Sequence, residues 1–167
     1  MRNNTTKILS LRKLTVGIFC LLISQISYQS MAKDKLPFED EIKARQSFYQ
    51  MVKFNISLLG EMAKGKRPYD SKLAQASADN ILAASKMNND AMWPKGSDNS
   101  VPALKGKTDA LPKIWSNYPT VMEKHKAWKE ASTKMAANAG KGISGVKSNI
   151  GALGKSCKSC HEDFRAE

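Results

Sequence analysis

The sequence predicts an all-α protein, an antiparallel four-helix bundle. Four segments carry apolar residues at the three- and four-residue spacing of amphipathic helices. No segment shows the alternating pattern of a strand, and only one connection between the helices is long. A chain of 167 residues is typical of one domain.

The first 32 residues have the features of a secretory signal. Four basic residues and no acidic residue occupy positions 1–13, and an almost wholly apolar run, too short to span a bilayer, follows at positions 14–26. Small side chains at Ser30 and Ala32 predict cleavage after Ala32. We therefore expect a cleaved signal peptide at 1–32, export to the periplasm, and a mature bundle at 33–167. The alternative is an uncleaved membrane anchor.

Cleavage would also change the charge. It would remove Cys20 and four of the 27 basic residues but none of the 15 acidic ones, so the net charge would fall from +12 to +8. The remaining lysines are scattered without interleaved aromatic residues, which argues against nucleic-acid binding. We interpret them as a solvated surface that could favour an acidic partner or an anionic membrane. They include Lys64, Lys66, Lys86, Lys105, Lys124, Lys141 and Lys155.

Two helices are predicted in the first half of the mature chain. The first spans 38–63, with Pro37 and three acidic residues favouring its start and Gly65 favouring its end. Its apolar stripe contains Ile42, Tyr49, Val52, Ile56 and Leu59, with Phe48, Met51, Leu58 and Met62 beside it. Asp70 can cap a second, alanine-rich helix that runs to about Met87.

A long connection is predicted at 88–112, where prolines and glycines interrupt the helical pattern. It contains Met92, Trp93, Val101 and Leu104, so we expect part of it to pack over the core. A short helical turn around Ile114 and Trp115 should follow.

The third helix should run from about Thr120 to Asn138, with His125 and Trp128 on its inner stripe, and should end at Gly140. The fourth helix has the most regular apolar seam. That seam consists of Ile143, Val146, Ile150, Leu153, Cys157, Cys160 and Phe164.

The fourth helix ends in a motif that attaches haem. In Cys157-Lys158-Ser159-Cys160-His161, each cysteine can add to one vinyl group while the histidine binds the iron. On a helix the two thiols and the imidazole share one face. Because both cysteines belong to the apolar seam, we expect one covalent haem c per chain, lying in the core near the end of this helix.

Three other interpretations of the motif are weaker. A thioredoxin-like pair should follow a strand, and no strand pattern precedes Cys157. A structural zinc ion needs four ligands, and beyond the motif the mature chain offers only His125. A simple disulfide between Cys157 and Cys160 would leave His161 unexplained.

The mature chain resembles the cytochromes c′, the class in which haem is attached near the carboxyl terminus. The resemblance is carried by Arg45-Gln46-Ser47, by Pro68-Tyr69-Asp70, by residues 109–115 and by residues 154–165 with the haem motif. In relatives of the low-spin cytochrome c556 type, the residue four after the matching arginine is a methionine that binds iron. Here that position holds Tyr49. The resemblance therefore implies a five-coordinate iron whose open face is covered by Tyr49.

The resemblance also implies roles for individual residues. Arg45 and Gln46 would approach the haem propionates, and Asp109 would lie near the haem edge. Trp93 would line the distal pocket together with the tyrosine. Arg165 would shape the proximal pocket beside the imidazole.

A sixth ligand, if there is one, must come from upstream, because only six residues follow His161. Met51 and His125 are the alternatives. Met51 lies about 200° around its helix from Tyr49 and so should point away from the face that Tyr49 uses. His125 is more simply explained as a core histidine. Tyr49 itself would need a depressed pKa to bind iron as phenolate.

We therefore expect a periplasmic c-type cytochrome that binds NO and CO, serves NO binding or detoxification, and could also transfer electrons to a periplasmic redox partner. The resemblance also implies a homodimer. The alternative is a six-coordinate, low-spin electron carrier of the c556 type. We expect no catalytic residues, because a peroxidase would need a distal acid–base pair and no histidine is placed for one.

Overall fold

The computed structural model describes residues 35–167; the predicted signal peptide lies outside these residues. The helices are α1 (Glu39–Ala63), α2 (Ser71–Lys86), α3 (Lys113–Ser116), α4 (Tyr118–Asn138) and α5 (Ile143–Phe164). Short 3₁₀ turns occupy Asp90–Met92, Pro102–Leu104 and Ala139–Lys141. None of the helices in this part of the chain is both long and apolar enough to cross a membrane.

The four long helices form an antiparallel bundle, as predicted. α1 packs against α2 and α5, and α4 packs against the same two helices. The hydroxyl of Tyr69, between α1 and α2, donates a hydrogen bond to the Ala139 carbonyl (2.8 Å) and accepts one from the Gly142 amide (2.9 Å). The end of α1, the start of α2, the end of α4 and the start of α5 therefore meet at one end of the bundle. We call it the Tyr69 end, and the opposite end, which holds Cys157 and Cys160, the cysteine end.

The bundle core is apolar and its second helix contributes small residues. Leu59, Met62, Ile81, Met135, Val146 and Leu153 are the large core side chains that are almost completely buried. Asp70 caps α2 as predicted, since its carboxylate accepts a hydrogen bond from the Leu73 amide at 2.9 Å. Ala74 and Ala78 are fully buried on α2, which lets the neighbouring helices approach closely.

The inner stripe of α1 differs from the predicted one. Arg45 and Asn55 are buried on it, whereas Tyr49 remains 40% exposed. The Asn55 amide is satisfied locally, because it donates to the Met51 carbonyl (2.9 Å) and accepts from Asn80 on α2 (3.1 Å). Counting apolar residues alone misses such positions, because hydrogen-bonded polar groups can occupy a core.

The third long helix begins earlier than predicted. α4 starts at Tyr118 rather than Thr120, and Pro119 lies within its first turn. Proline suits that position because its missing N–H would have no partner there. The other predicted ends agree with the structure to within one residue.

The long connection from α2 to α3 covers the cysteine end. Its Leu104 is fully buried, which confirms that part of it packs over the core. It is also tied to the end of α5 through an isolated antiparallel bridge between Ala110 and Arg165. The Leu111 amide donates to the Phe164 carbonyl at 3.0 Å, which fixes the connection beside the haem motif.

Candidate haem site

The haem motif lies in the last turns of α5, as predicted. α5 continues to Phe164, so Cys157, Cys160 and His161 all have helical geometry and share one face. Both cysteines are free thiols and both are partly buried. Burial raises the pKa of each thiol, which indicates weakly polar surroundings.

The imidazole of His161 is more exposed than the two thiols. Its pKa is lowered, first by partial burial and then by the positive charge of Arg165. Both causes favour the neutral imidazole, which is the form that binds a metal.

Aromatic side chains from three different segments form a cluster, the aromatic wall, that reaches the thiols through Tyr49. Tyr49 of α1 contacts Trp93 of the connection (ring centroids 6.3 Å apart) and Trp128 of α4 (6.5 Å). Trp93 also contacts Trp115, with ring centroids 6.4 Å apart. The structure thus brings together the two predicted distal residues, Tyr49 and Trp93, and adds Trp128.

Tyr49 lies close enough to the motif for its ionisation to depend on both cysteines. Burial of the phenol group, followed by the Cys160 and Cys157 thiols, raises the pKa of Tyr49 to about 12. Interactions with Asn89 and Arg45 lower it only in part. Tyr49 is therefore a neutral phenol at neutral pH.

Arg45 binds the connection. It is 3% exposed, and its Nη atoms donate to the Ser97 hydroxyl (2.6 Å), the Ser97 carbonyl (2.5 Å) and the Thr108 hydroxyl (2.8 Å). A longer bond reaches the Met92 carbonyl at 3.3 Å. The guanidinium also lies 4.7 Å from the centre of the Trp93 ring, a cation–π distance. Arg45 thus holds the connection, including Trp93, against α1. Its contact with the haem propionates stays a prediction.

The other predicted edge residues also contact the connection or each other. Gln46 is exposed and donates to the Lys107 carbonyl at 2.9 Å. Arg165 forms an exposed ion pair with Asp109, whose Oδ2 lies 3.0 Å from Nη2. The structure therefore joins two residues that the sequence placed on different sides of the haem, and their haem contacts remain predictions.

Lys124 is a site residue that the sequence reading treated only as surface charge. Its ammonium donates to the Ser159 hydroxyl inside the haem motif (2.7 Å) and pairs with Asp163 (3.0 Å). This contact lowers the pKa of the Asp163 carboxyl, and the same positive charge partly offsets the rise at Cys160. Lys124 thereby links α4 to the turn of α5 that carries the thiols.

The two alternative sixth ligands lie differently in the structure. The side chain of Met51 is 47% exposed, in agreement with its expected direction away from the site. His125 packs edge-to-face on Trp128, with ring centroids 5.6 Å apart.

Trp128 is 8% exposed, and its buried indole nitrogen has no hydrogen-bond partner within residues 35–167. The sequence alone does not predict that Trp128 belongs to the site, because only its contact with Tyr49 in the folded chain shows this.

These residues fit a covalently attached haem. Two free thiols and an imidazole share one helix face, and Tyr49, which interacts with both thiols, belongs to a cluster of aromatic rings from three segments. Within residues 35–167, no group of three or more His, Cys, Asp or Glu side chains could hold a metal ion.

Comparison with known proteins agrees with this assignment. The family described as Cytochrome C′ matches residues 40–165. The chain belongs to the cytochrome c′ family. Members of this family carry covalently attached haem c, so the cofactor predicted from the motif is confirmed.

Individual relatives support the same classification. Cytochrome c-554 of Cereibacter sphaeroides is 30% identical over 150 residues, which cover 90% of this chain and 96% of the relative. Cytochrome c′ of the same organism is also 30% identical, with 90% and 97% covered. The solved cytochrome c′ from Rhodobacter Spheriodes superposes with a TM-score of 0.74 at 30% identity, covering 78% of this chain and 98% of that one. The cytochrome c′ fold thus extends over essentially all of the described residues.

Proposed function

We propose that this chain is an exported, periplasmic cytochrome c′ that binds NO and CO at a five-coordinate haem. Cys157 and Cys160 hold the haem covalently, and His161 binds its iron from one side. The haem, when bound, supplies an iron with one position left for a small neutral ligand. The observation that carries the proposal is the aromatic wall beside the thiols, to which Tyr49, Trp93 and Trp128 contribute rings rather than a sulfur or imidazole ligand.

We expect none of the three alternative ligands, Tyr49, Met51 and His125, to bind the iron. Burial raises the pKa of Tyr49 to about 12, which favours the neutral phenol, a weaker iron ligand than phenolate. The side chain of Met51 is about half exposed, and His125 packs against Trp128. Tyr49 therefore acts as a steric cover rather than a ligand.

The wall also favours neutral diatomic ligands over anions and water. Tyr49, Trp93 and Trp128 present ring surfaces, and the Arg45 donors are engaged by the connection. A weakly polar pocket penalises charged ligands because they lose hydration there without gaining a partner. A solved cytochrome c′ from Alcaligenes xylosoxidans, 25% identical to this chain, is a variant with carbon monoxide bound.

The absorption spectrum of the haem-bearing protein tests the proposal. We expect a five-coordinate, high-spin ferrous spectrum that changes on addition of NO or CO, because the proposal gives the iron only one protein ligand, His161. Met51→Ala and His125→Ala should leave the ferrous spectrum unchanged. A six-coordinate, low-spin ferrous spectrum that is lost in one of these variants would instead establish an electron carrier with that residue as ligand.

The exposed face of α1 supports a homodimer as the assembled form. Phe54 is 63% exposed, and Met51 lies one turn before it on the same side of the helix. Large apolar side chains exposed together mark an interaction surface more often than a free one. A cytochrome c′ of solved structure, 27% identical to this chain, is noted for ligand-controlled dimer dissociation.

Phe54→Glu should convert the dimer to a monomer, because it places a charge in the centre of the apolar contact. Sedimentation equilibrium at several protein concentrations measures this change. Lys53→Gln is the matched control, since it alters the charge by the same amount on a different side of α1. A wild-type protein that is monomeric at all concentrations, or a Phe54→Glu variant that remains dimeric, would rule out this interface.

A further inference from the structure

The Tyr69 end of the bundle carries a cluster of cations that the haem site does not use. Two chain segments meet there, because Tyr69 bonds to both Ala139 and Gly142. The segments contribute the exposed side chains of Lys64, Lys66, Arg67, Lys72 and Lys141, which we call the basic surface.

Little negative charge offsets the basic surface. The nearby Glu61 carboxylate accepts from Arg67 at 2.9 Å, and the Asp70 carboxylate accepts from the Leu73 amide, so these two negative charges face the five cations. Within residues 35–167, Lys64 and Lys66 form no ion pair. The same holds there for Lys72 and Lys141. These ammonium groups therefore attract any anionic surface that approaches this end.

The position of the basic surface argues against a redox partner protein. Tyr49, which contacts the haem site, lies 14 residues from the end of α1, which is about 21 Å along the helix axis. A protein that exchanged electrons with the haem would dock at the cysteine end instead. The basic surface is therefore better suited to attaching the protein to another surface than to electron exchange.

The composition of the basic surface argues against a protein partner of any kind. Protein interfaces depend on large apolar or aromatic anchors. The exposed large apolar side chains lie elsewhere: Tyr49, Met51, Phe54, Met87, Tyr118 and Met122. Four of the five cations are lysines, whose compact ammonium groups suit a diffuse anionic layer better than a fixed carboxylate pair.

We propose that the basic surface docks the protein reversibly on anionic phospholipid, with the Tyr69 end against the headgroups and the cysteine end directed away from the bilayer. The binding is electrostatic, without insertion, and depends on the number of cations near the headgroups. The haem site would then face the aqueous phase, open to dissolved gases and to soluble partners.

Vesicle sedimentation of the mature haem-bearing protein tests this docking. Wild-type protein should sediment with phosphatidylglycerol-containing vesicles but not with pure phosphatidylcholine vesicles, and about 1 M salt should release it, since the screening length is then roughly 3 Å. The triple variant Lys64→Gln, Lys66→Gln, Lys72→Gln should bind roughly 100-fold more weakly, from about tenfold per 1.4 kcal/mol and ~1 kcal/mol per cation.

The matched control removes three cations from the cysteine end. Lys95→Gln, Lys105→Gln, Lys107→Gln has the same net charge as the first variant and should retain most of the binding. Equal loss in both variants would mean that only net charge matters and would overturn the proposal. Binding to polyglutamate but not to phosphatidylglycerol vesicles would also overturn it, in favour of an acidic protein. If the first variant lost thermal stability but kept its vesicle binding, Lys64, Lys66 and Lys72 would only stabilise the helix ends, and the proposal would be wrong.

Discussion

Replacing both Cys157 and Cys160 by serine is expected to give a protein without covalent haem and with a thermal midpoint lowered by roughly 10–25 °C. The aromatic rings that face the thiols would lose the cofactor that covers them. Burial of one large apolar side chain contributes roughly 1.5–3 kcal/mol, so uncovering two rings would cost about 3–6 kcal/mol. In a domain of this size each kcal/mol shifts the midpoint by several degrees.

Haem staining of a denaturing gel and circular-dichroism melting measure these two effects. Ser144→Ala, an exposed position on α5 outside the motif, is the control and should retain both the stain and the midpoint. Each single cysteine variant should keep a stained band through its remaining thioether. Covalent haem in the double variant would contradict the assignment of these two residues.

Arg45→Met should destabilise the protein by about 3–5 kcal/mol, which is the range found when one partner of a buried charged network is removed. The methionine keeps the length of the aliphatic stem but removes the bonds from Arg45 to the Ser97 carbonyl and to the Thr108 hydroxyl, which then keeps the Ala110 amide as a donor (3.2 Å). It also leaves the buried carboxylate of Asp98 without the cation that interacts with it.

Hydrogen exchange combined with chemical denaturation would locate this loss. Amides between 92 and 110 should exchange faster in Arg45→Met, because the connection loses its contact with α1, while the core of α2 and α4 should change little. Lys43→Met, at an exposed cation two residues before Arg45 on α1, should cost less than about 1 kcal/mol. If Arg45→Met left stability and exchange unchanged but altered the haem spectrum, Arg45 would act on the propionates instead of the connection.

The sequence was sufficient for the helices and the cofactor because both have local signals. A helix repeats its apolar residues within one turn, and the haem motif occupies five adjacent positions, 157–161. The start of α4 at Tyr118 also has a local signal, Pro119, which the predicted start at Thr120 does not use, although proline is favoured in the first turn of a helix.

The parts that the sequence could not supply depend on distant partners. Arg45 bonds to residues 52 and 63 positions away, and no local pattern distinguishes it from a solvated arginine. Lys124 likewise meets Ser159 across 35 positions. Polar groups in the connection have no period, so their pairing becomes visible only when the helices have placed them.

The Tyr69 hydroxyl bonds to one carbonyl near the end of α4 and one amide at the start of α5, and so joins two helix hairpins. The Gln75 side chain of α2 adds two more bonds between the same hairpins, to the Ala136 carbonyl (2.9 Å) and from the Gly140 amide (3.1 Å). At the opposite end the connection, the backbone bridge beside the motif and the haem all resist separation of the same hairpins. Local opening of the bundle should therefore concentrate at the Tyr69 end, where two side chains, those of Tyr69 and Gln75, hold the hairpins together. The haem site can then keep its dimensions during such local opening.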